Sequence, residues 1–356
     1  MKKPFRRGLV VGKFAPLHHG HELVIKRAFE ECDEVVLISY SSPELPGCRP
    51  EVRERWLAAL FPDAVRLIIT DERLQKWKKS EGDPDRIPHN NADETIHRRF
   101  CGYLCREVLK KEIDAVFTSE NYGDGFAEEL TRYFQHHNPK AVNVRHVMVD
   151  RHRNQIPVSG TLLRENIHKN RQWLSSIVYA SFVKRVCLLG GESSGKTSLV
   201  ETLGRHFGTA HVAEYGRELW DQKKGNLGFE DMLLIAQTQI QREEQAAREA
   251  NEFLFCDTSP LTTLFYSHYR FSKADAAVKH LAGRPYDFVI LCAPDFPFVQ
   301  DGTRQTESFR KRQHEWYLQQ LASRQIPYLL ATGSIENRIR QVREFIKDED
   351  IQINTT

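Results

Sequence analysis

Short apolar, β-branched runs alternate with stretches in which apolar residues recur every three or four positions, and the alternation continues along the whole chain. In the first half Leu9 to Phe14, Glu34 to Tyr40, Val65 to Thr70, Ala115 to Ser119 and Val144 to Val149 read as strands. Their nearly continuous apolar character predicts burial on both faces, as in a parallel sheet. Helical spacing lies between them, at Glu22 to Glu31 with Ile25, Ala28 and Phe29 on one face, and at Thr95 to Lys111 with Ile96, Phe100, Tyr103, Leu104 and Val108. A second series opens at Arg185. It reads as strand Val186 to Leu189, helix Lys196 to Phe207, strand His211 to Glu214, helix Glu230 to Glu249, then strands Phe253 to Cys256, Phe288 to Cys292 and Tyr328 to Ala331. This order predicts two α/β domains, each a parallel sheet flanked by helices. Gln172 to Lys184 is helix-compatible and not rich in Gly or Ser, so a short ordered connector is expected, with domains at 1–175 and 176–356. Glu81 to Asp93 is charged, holds two prolines, and reads as a long loop, a mobile substrate cover or a contact surface.

Composition narrows the function. The chain has 356 residues, 40% hydrophobic and 28% charged, enough apolar surface for real cores. A net charge of +3 is too balanced for a nucleic-acid footprint, so anions are expected to meet local sites. No apolar run approaches the roughly 20 residues of a membrane span. The start MKKPFRRG leads into no secretory apolar region, which predicts a cytoplasmic protein without membrane contact. Seven cysteines, odd in number and without a C-x-x-C pair, read as reduced, mostly buried thiols, including Cys101 and Cys105.

Two segments carry chemistry. The first strand runs into Gly12-Lys13-Phe14-Ala15-Pro16-Leu17-His18-His19-Gly20-His21 and then directly into a helix. Ligands of α/β sheets bind at such carboxyl ends, Gly20 admits a phosphate, and imidazoles donate to phosphoryl oxygens. His18 and His21 are the candidate catalytic pair, with His19 at a variable place between them. Far along the chain, Ser159-Gly160-Thr161-Leu162-Leu163-Arg164 offers a capped helix start and a guanidinium for outer phosphates. The second segment is Gly190-Gly191-Glu192-Ser193-Ser194-Gly195-Lys196-Thr197-Ser198, which fits G-x-x-x-x-G-K-[ST] between a strand and a helix. Its amides would cradle the phosphates of ATP, Lys196 would neutralise β/γ oxygens, and Thr197 would ligate Mg²⁺. A carboxylate is also needed, to hold Mg²⁺ or to accept a hydroxyl proton. Asp257 and Glu214 both end strands; Asp257 is favoured, with Glu214 as its competitor and their roles exchangeable. Asp301-Gly302-Thr303-Arg304, with Arg310 and Arg312 following, reads as a hinge and an arginine lid.

The pattern G-x-F-x-P-x-H-x-G-H at Gly12 to His21, paired with S-x-T-x-x-R at Ser159 to Arg164, resembles the nucleotidyltransferase superfamily, which moves an adenylyl group from ATP. Joined to a P-loop half, it resembles the NadR-type bifunctional enzymes, nicotinamide-nucleotide adenylyltransferase plus ribosylnicotinamide kinase. Ser119-Glu120-x-Tyr122-Gly123-Asp124 and Ala213-Glu214-Tyr215 add to the likeness. It implies a Rossmann-like nucleotidyltransferase fold followed by a P-loop kinase fold. It also implies phosphorylation of nicotinamide riboside to the mononucleotide, adenylyl transfer to that mononucleotide to give NAD, ATP as co-substrate in both halves, and Mg²⁺. Longer members carry an amino-terminal helix-turn-helix, whereas here a strand is expected by Leu9, so DNA binding is not expected. His18 and His21 would stabilise charge at the α-phosphate while Arg164, Lys13 and Mg²⁺ hold the departing pyrophosphate. Two alternatives stay open: a nucleotide-sensing regulator without turnover, and a fusion with other acceptors, such as pantetheine phosphate and another nucleoside. Homo-oligomerisation and the residues that read the pyridine ring are left open, with Trp77, Trp173 and Trp220 as stacking candidates.

Overall fold

Alternation of apolar and polar spacing becomes two sheets of five parallel strands, each covered by helices. The computed structural model describes residues 2–78, 80–298 and 305–353. The chain divides into Met1–Ser181 and Phe182–Thr356, six residues beyond the expected 175/176. The difference lies in Ser176–Tyr179, which packs into the first unit. There His168 Nδ1 meets Tyr179 Oη at 2.9 Å and Trp56 Nε1 donates to Ser181 Oγ at 2.9 Å.

The first unit runs β1 (Phe5–Val11), α1 (His19–Glu31), β2 (Cys32–Ser39), α2 (Pro50–Leu60), β3 (Val65–Ile68), α3 (Asp71–Gln75), α4 (Glu94–Tyr103), β4 (Ala115–Thr118), α5 (Gly123–His137), β5 (Arg145–Met148), α6 (Gly160–Glu165) and α7 (Ser176–Tyr179). Its strand order is β3-β2-β1-β4-β5. The chain winds outward from β1 to β3 and then returns to β4, so the carboxyl ends of β1 and β4 flank the switch point where such sheets bind ligands. Leu9, Val36, Ile38 and Val116 pack beneath Phe100, Leu104, Leu130 and Phe134 of the covering helices.

β1 and the helix before β4 depart from the expected spans, and the 81–93 loop from its expected freedom. β1 begins at Phe5 and stops at Val11, because the chain leaves the sheet at Gly12 and Phe14 takes a left-handed φ of 47°. The helix expected through Lys111 widens to a π-helical turn at Leu104–Val108, closed by Lys111 N–H donating to Cys105 O. Residues 81–93 form no helix or strand, as expected, but they are anchored and do not read as a free cover. Ile87 is buried in the core, its N–H donates to Asp71, and Asn90 N–H donates to Ser42 O at 2.7 Å.

The second unit runs β6 (Lys184–Gly190), α8 (Lys196–Phe207), β7 (His211–Val212), α9 (Tyr215–Gln222), α10 (Phe229–Ala247), β8 (Phe253–Asp257), α11 (Pro260–Phe271), α12 (Ala276–Leu281), β9 (Phe288–Cys292), α13 (Glu307–Ser323), β10 (Leu329–Ala331) and α14 (Ile335–Ile353), with strand order β10-β9-β6-β8-β7. β6 shows why the sequence reads as continuously apolar. Val186 and Leu188 enter one core with Leu199, Leu203 and Val342, while Cys187 and Leu189 enter the other with Met232, Leu264 and Tyr317. Both faces are covered, so a two-residue period need not appear in hydrophobicity. β7 is shorter than expected because Glu214 has already become the N-cap of α9. All seven cysteines are buried and free. No helix among the described residues is long and apolar enough to cross a membrane.

Candidate active sites

In the first unit, α1 is capped by its own catalytic candidates. His18 Nδ1 accepts from His21 N–H, and His21 Nδ1 accepts from His18 N–H, both at 3.4 Å. The rings stack 3.7 Å apart. Because each Nδ1 is an acceptor, each neutral ring must carry its proton on Nε2, so both offer a ring N–H donor. Burial, reinforced by the Arg153 charge, pushes His18 down to about 4. Burial and then the His18 charge hold His21 well below its ordinary value. Both are therefore neutral donors near pH 7. Gly20 makes room for this pair, since a Cβ there would meet the His18 ring at 3.0 Å. His19 instead pairs with Glu22 at 3.3 Å.

The two distant motifs are tied together. Arg164 Nη1 donates to Ala15 O at 2.6 Å and Nη2 to Thr161 Oγ1 at 3.1 Å, while Ser159 Oγ caps α6 through Leu162 N–H. Burial, followed by the Arg164 charge, lowers Lys13. Gly12, Lys13, Phe14, His18, Gly20, His21, Ser159, Thr161 and Arg164 all line one cavity. Thr118, Asp150 and Arg153 line it too. No motif marks them, since Thr118 ends β4 like any strand residue and Asp150 and Arg153 stand in a turn without periodicity. Arg53 was also missed. It is fully buried, donates to Lys13 O at 3.1 Å and pairs with Glu44, fixing the turn that carries Lys13.

In the second unit the phosphate loop needs its glycines. Gly190 has φ +149°, and a Cβ there would meet Cys292 O at 2.9 Å; Gly195 has φ +78°. Lys196 Nζ donates to Gly190 O and Gly191 O at 2.9 and 3.1 Å, folding along the loop. Thr197 Oγ1 donates to Asp257 Oδ2 at 2.6 Å. Asp257 is 1% exposed, and its other oxygen has no hydrogen-bond partner among the described residues. Burial raises both carboxyls, with Glu214, also raised by the Asp257 charge, reaching about 7.

Glu192, Ser193, Ser194, Gly195, Lys196, Thr197, Ser198 and Glu214 line a second cavity, while Gly190, Gly191 and Asp257 do not line it. Trp220, Tyr266 and Tyr269 add aromatic lining, Tyr266 Oη donating to Glu192 Oε1 at 2.9 Å, and Arg270 covers Trp220 at 4.8 Å. Of the tryptophans considered, Trp220 reaches this cavity and Trp77 packs against the first unit's core.

Arg310, expected as a lid arm, is buried beside the glycine-rich loop. It is 2% exposed, and Nη1 donates to Phe296 O at 2.8 Å and Ser193 O at 3.4 Å, which uses the guanidinium to brace the loop. Arg312 lies over Tyr269. Asp301, Gly302, Thr303 and Arg304 fall outside the described residues. Two further braces carried no motif. Gln313 Oε1 accepts from Glu192 N–H at 2.9 Å. Arg338, fully buried, donates to Ser194 O at 2.7 Å, to Gly333 O and Ala293 O, and to Asp295.

Residues 185–338 match the AAA domain family. Over 350 residues, 96% of this chain and 79% of the relative, the sequence is 27% identical to the trifunctional NAD biosynthesis/regulator protein NadR of Escherichia coli K12. It is 28% identical to the Salmonella typhimurium protein of that name across 83% of this chain and 71% of the relative. A probable nicotinate-nucleotide adenylyltransferase from Nitratiruptor is 28% identical over 115 residues, 31% of this chain and 56% of the relative. Among solved structures, NadR in complex with NR aligns with TM-score 0.67 at 20% identity, covering 97% of this chain and 96% of that one. NadR with NAD and AMP-PNP aligns with TM-score 0.66 at 19% identity, covering 96% and 97%.

Proposed function

We propose that this chain, a relative of the NadR proteins over 96% of its length, is a bifunctional enzyme of NAD biosynthesis. The second unit phosphorylates nicotinamide riboside with ATP, and the first joins the resulting mononucleotide to the adenylyl group of a second ATP, releasing pyrophosphate. The observation that carries this reading is that each unit gathers its own phosphate-binding residues into one cavity, with imidazoles in one and the Lys196 ammonium in the other.

In the first unit the mononucleotide phosphate is already an anion and attacks the α-phosphorus without a strong base. Positioning and charge neutralisation then dominate. His18 and His21 donate Nε2–H to the α-phosphoryl oxygens, and Lys13 and Arg164 hold the departing pyrophosphate. No covalent enzyme intermediate is required.

In the second unit an alcohol attacks the γ-phosphate, so a proton must leave. Asp257 is engaged by Thr197, which supports Glu214, raised to about 7, as the acceptor, a value suited to a base at neutral pH. Thr197 and Asp257 also fit Mg²⁺, since a buried carboxylate oxygen without a hydrogen-bond partner is a ready ligand. The ion, when bound, neutralises charge on the β- and γ-phosphates. Trp220, Tyr266 and Tyr269 form the platform for the pyridine ring. These substrates and the reduced thiols fit a cytoplasmic location.

The test offers the purified protein ATP and Mg²⁺ with nicotinamide riboside, other nucleosides, the mononucleotide or pantetheine phosphate, and separates products by chromatography. Mononucleotide and NAD are expected from the riboside. Nucleotide binding without turnover would instead make the chain a sensor, and products from other acceptors alone would reassign the substrates.

A further inference from the structure

The first cavity holds a cation that the mechanism above does not use. Arg153 lines the cavity together with His18, His21 and Arg164. It sits in a turn built before any substrate arrives. Asp150 and Arg153 both take left-handed φ values, 50° and 52°, and the Asp150 carboxylate accepts the N–H groups of Asn154, Gln155 and Ile156 at 2.8, 3.2 and 3.1 Å. Arg153 N–H closes the same turn on Asp150 O at 2.8 Å. The guanidinium spends one arm on protein, Nη2 donating to Glu120 Oε1 at 2.8 Å. Its Nε and Nη1 have no hydrogen-bond partner among the described residues. A strained turn that directs a guanidinium into a cavity, with one arm fixed and two donors left over, is built to receive an anion.

We propose that Arg153 is a third phosphate-binding cation of the adenylyl-transfer site, presented to the α-phosphoryl group of ATP beside His18 and His21, with Glu120 holding it in place. This rests on the adenylyl-transfer reading above. Its anchoring partner separates it from the cations already assigned. Arg164 is fastened to Ala15 and Thr161 and its charge is felt at Lys13, which places that pair together for the outer phosphates. The Arg153 charge is felt at His21 and, more strongly than the Arg164 charge, at His18. Charge that grows on the α-phosphoryl oxygens during transfer therefore meets Arg153, and its contribution belongs to the transition state more than to the ground state.

The experiment measures steady-state NAD formation from mononucleotide and ATP with wild-type protein, Arg153→Ala, Arg153→Lys and Glu120→Gln. For Arg153→Ala, kcat is expected to fall by about 10²-fold, as when a donor to a developing oxyanion is removed, with both KM values changed by less than about threefold. Arg153→Lys keeps the charge without the fork and should recover part of the loss; Glu120→Gln should lose less than Arg153→Ala. Circular dichroism and thermal unfolding of the same preparations report folding of the first unit and should match wild type. An unchanged kcat in Arg153→Ala, or a rise confined to either KM, would overturn the proposal. Wild-type protein that makes no NAD at all would instead overturn the adenylyl-transfer reading beneath it.

Discussion

His18 shows how a single side chain links cap, charge state and chemistry. Its Nδ1 is committed to a backbone N–H, burial keeps the ring neutral, and the remaining Nε2–H is left for an anion. Folding lowers its proton affinity from 6.5 to about 4. Between those values the unfolded chain binds a proton that the folded chain refuses, so this group's effect is loss of stability as pH falls through that window. NMR titration of the His18 ring should give a midpoint near 4, and a midpoint at 6.5 would contradict the capped, buried geometry. Glu214 moves the other way, because burial and the Asp257 charge disfavour its anion. Riboside phosphorylation should therefore rise with pH through about 7. In Glu214→Gln that limb should vanish and the rate drop by about 10²; if Asp257→Asn alone removes the limb, the two carboxylates exchange roles. The residues visible in the sequence are those whose type and spacing are themselves the chemistry: paired His around Gly20, and Lys196-Thr197 after glycines. Arg153, Arg53 and Arg338 were hidden, because an isolated arginine in a sequence says nothing about which carbonyl or carboxylate the fold will bring to it.

Elements decide how firmly these groups are held. Three consecutive residues of the phosphate loop are held by α13 and α14, through Gln313 to Glu192, Arg310 to Ser193 and Arg338 to Ser194. Holding the Ser194 carbonyl outward turns the following amide inward, toward the phosphates, as a cradle of N–H groups requires. Arg338→Ala leaves buried carbonyls without their donor and should cost about 3 kcal/mol of stability, the scale for breaking a buried charged contact, together with at least tenfold weaker ATP binding at the kinase site. Thermal unfolding and ATP titration check both, and a stable variant with unchanged ATP affinity would remove the bracing role. The strands were legible because both faces of each sheet are covered, so Val186 to Leu189 and Phe253 to Cys256 read as unbroken apolar runs. Element ends were less so. β1 stops at Val11 because Phe14 turns left-handed, and β7 stops at Val212 because Glu214 caps α9. Such ends are set by a backbone turn and by the residue that opens the next helix, which hydrophobic periodicity does not encode.

At the scale of the molecule, two units each carry a sheet, a core and a cavity of their own. The division into two α/β halves could be read from the restart of the strand–helix series at Arg185; the boundary could not, because Ser176–Tyr179 is helical by pattern and is joined to the first unit by tertiary contacts such as those of Tyr179 with His168 and Arg171. Separate cavities make the two reactions separable by substitution. The most direct measurement feeds nicotinamide riboside, ATP and Mg²⁺ to wild-type protein, His21→Ala and Lys196→Ala, and follows mononucleotide and NAD over time. His21→Ala should accumulate mononucleotide, with NAD formation slowed by about 10² or more. Lys196→Ala should leave the riboside untouched yet still convert added mononucleotide to NAD. If either substitution abolished both steps in folded protein, or neither altered its own step, two independent phosphate sites working in succession would be contradicted.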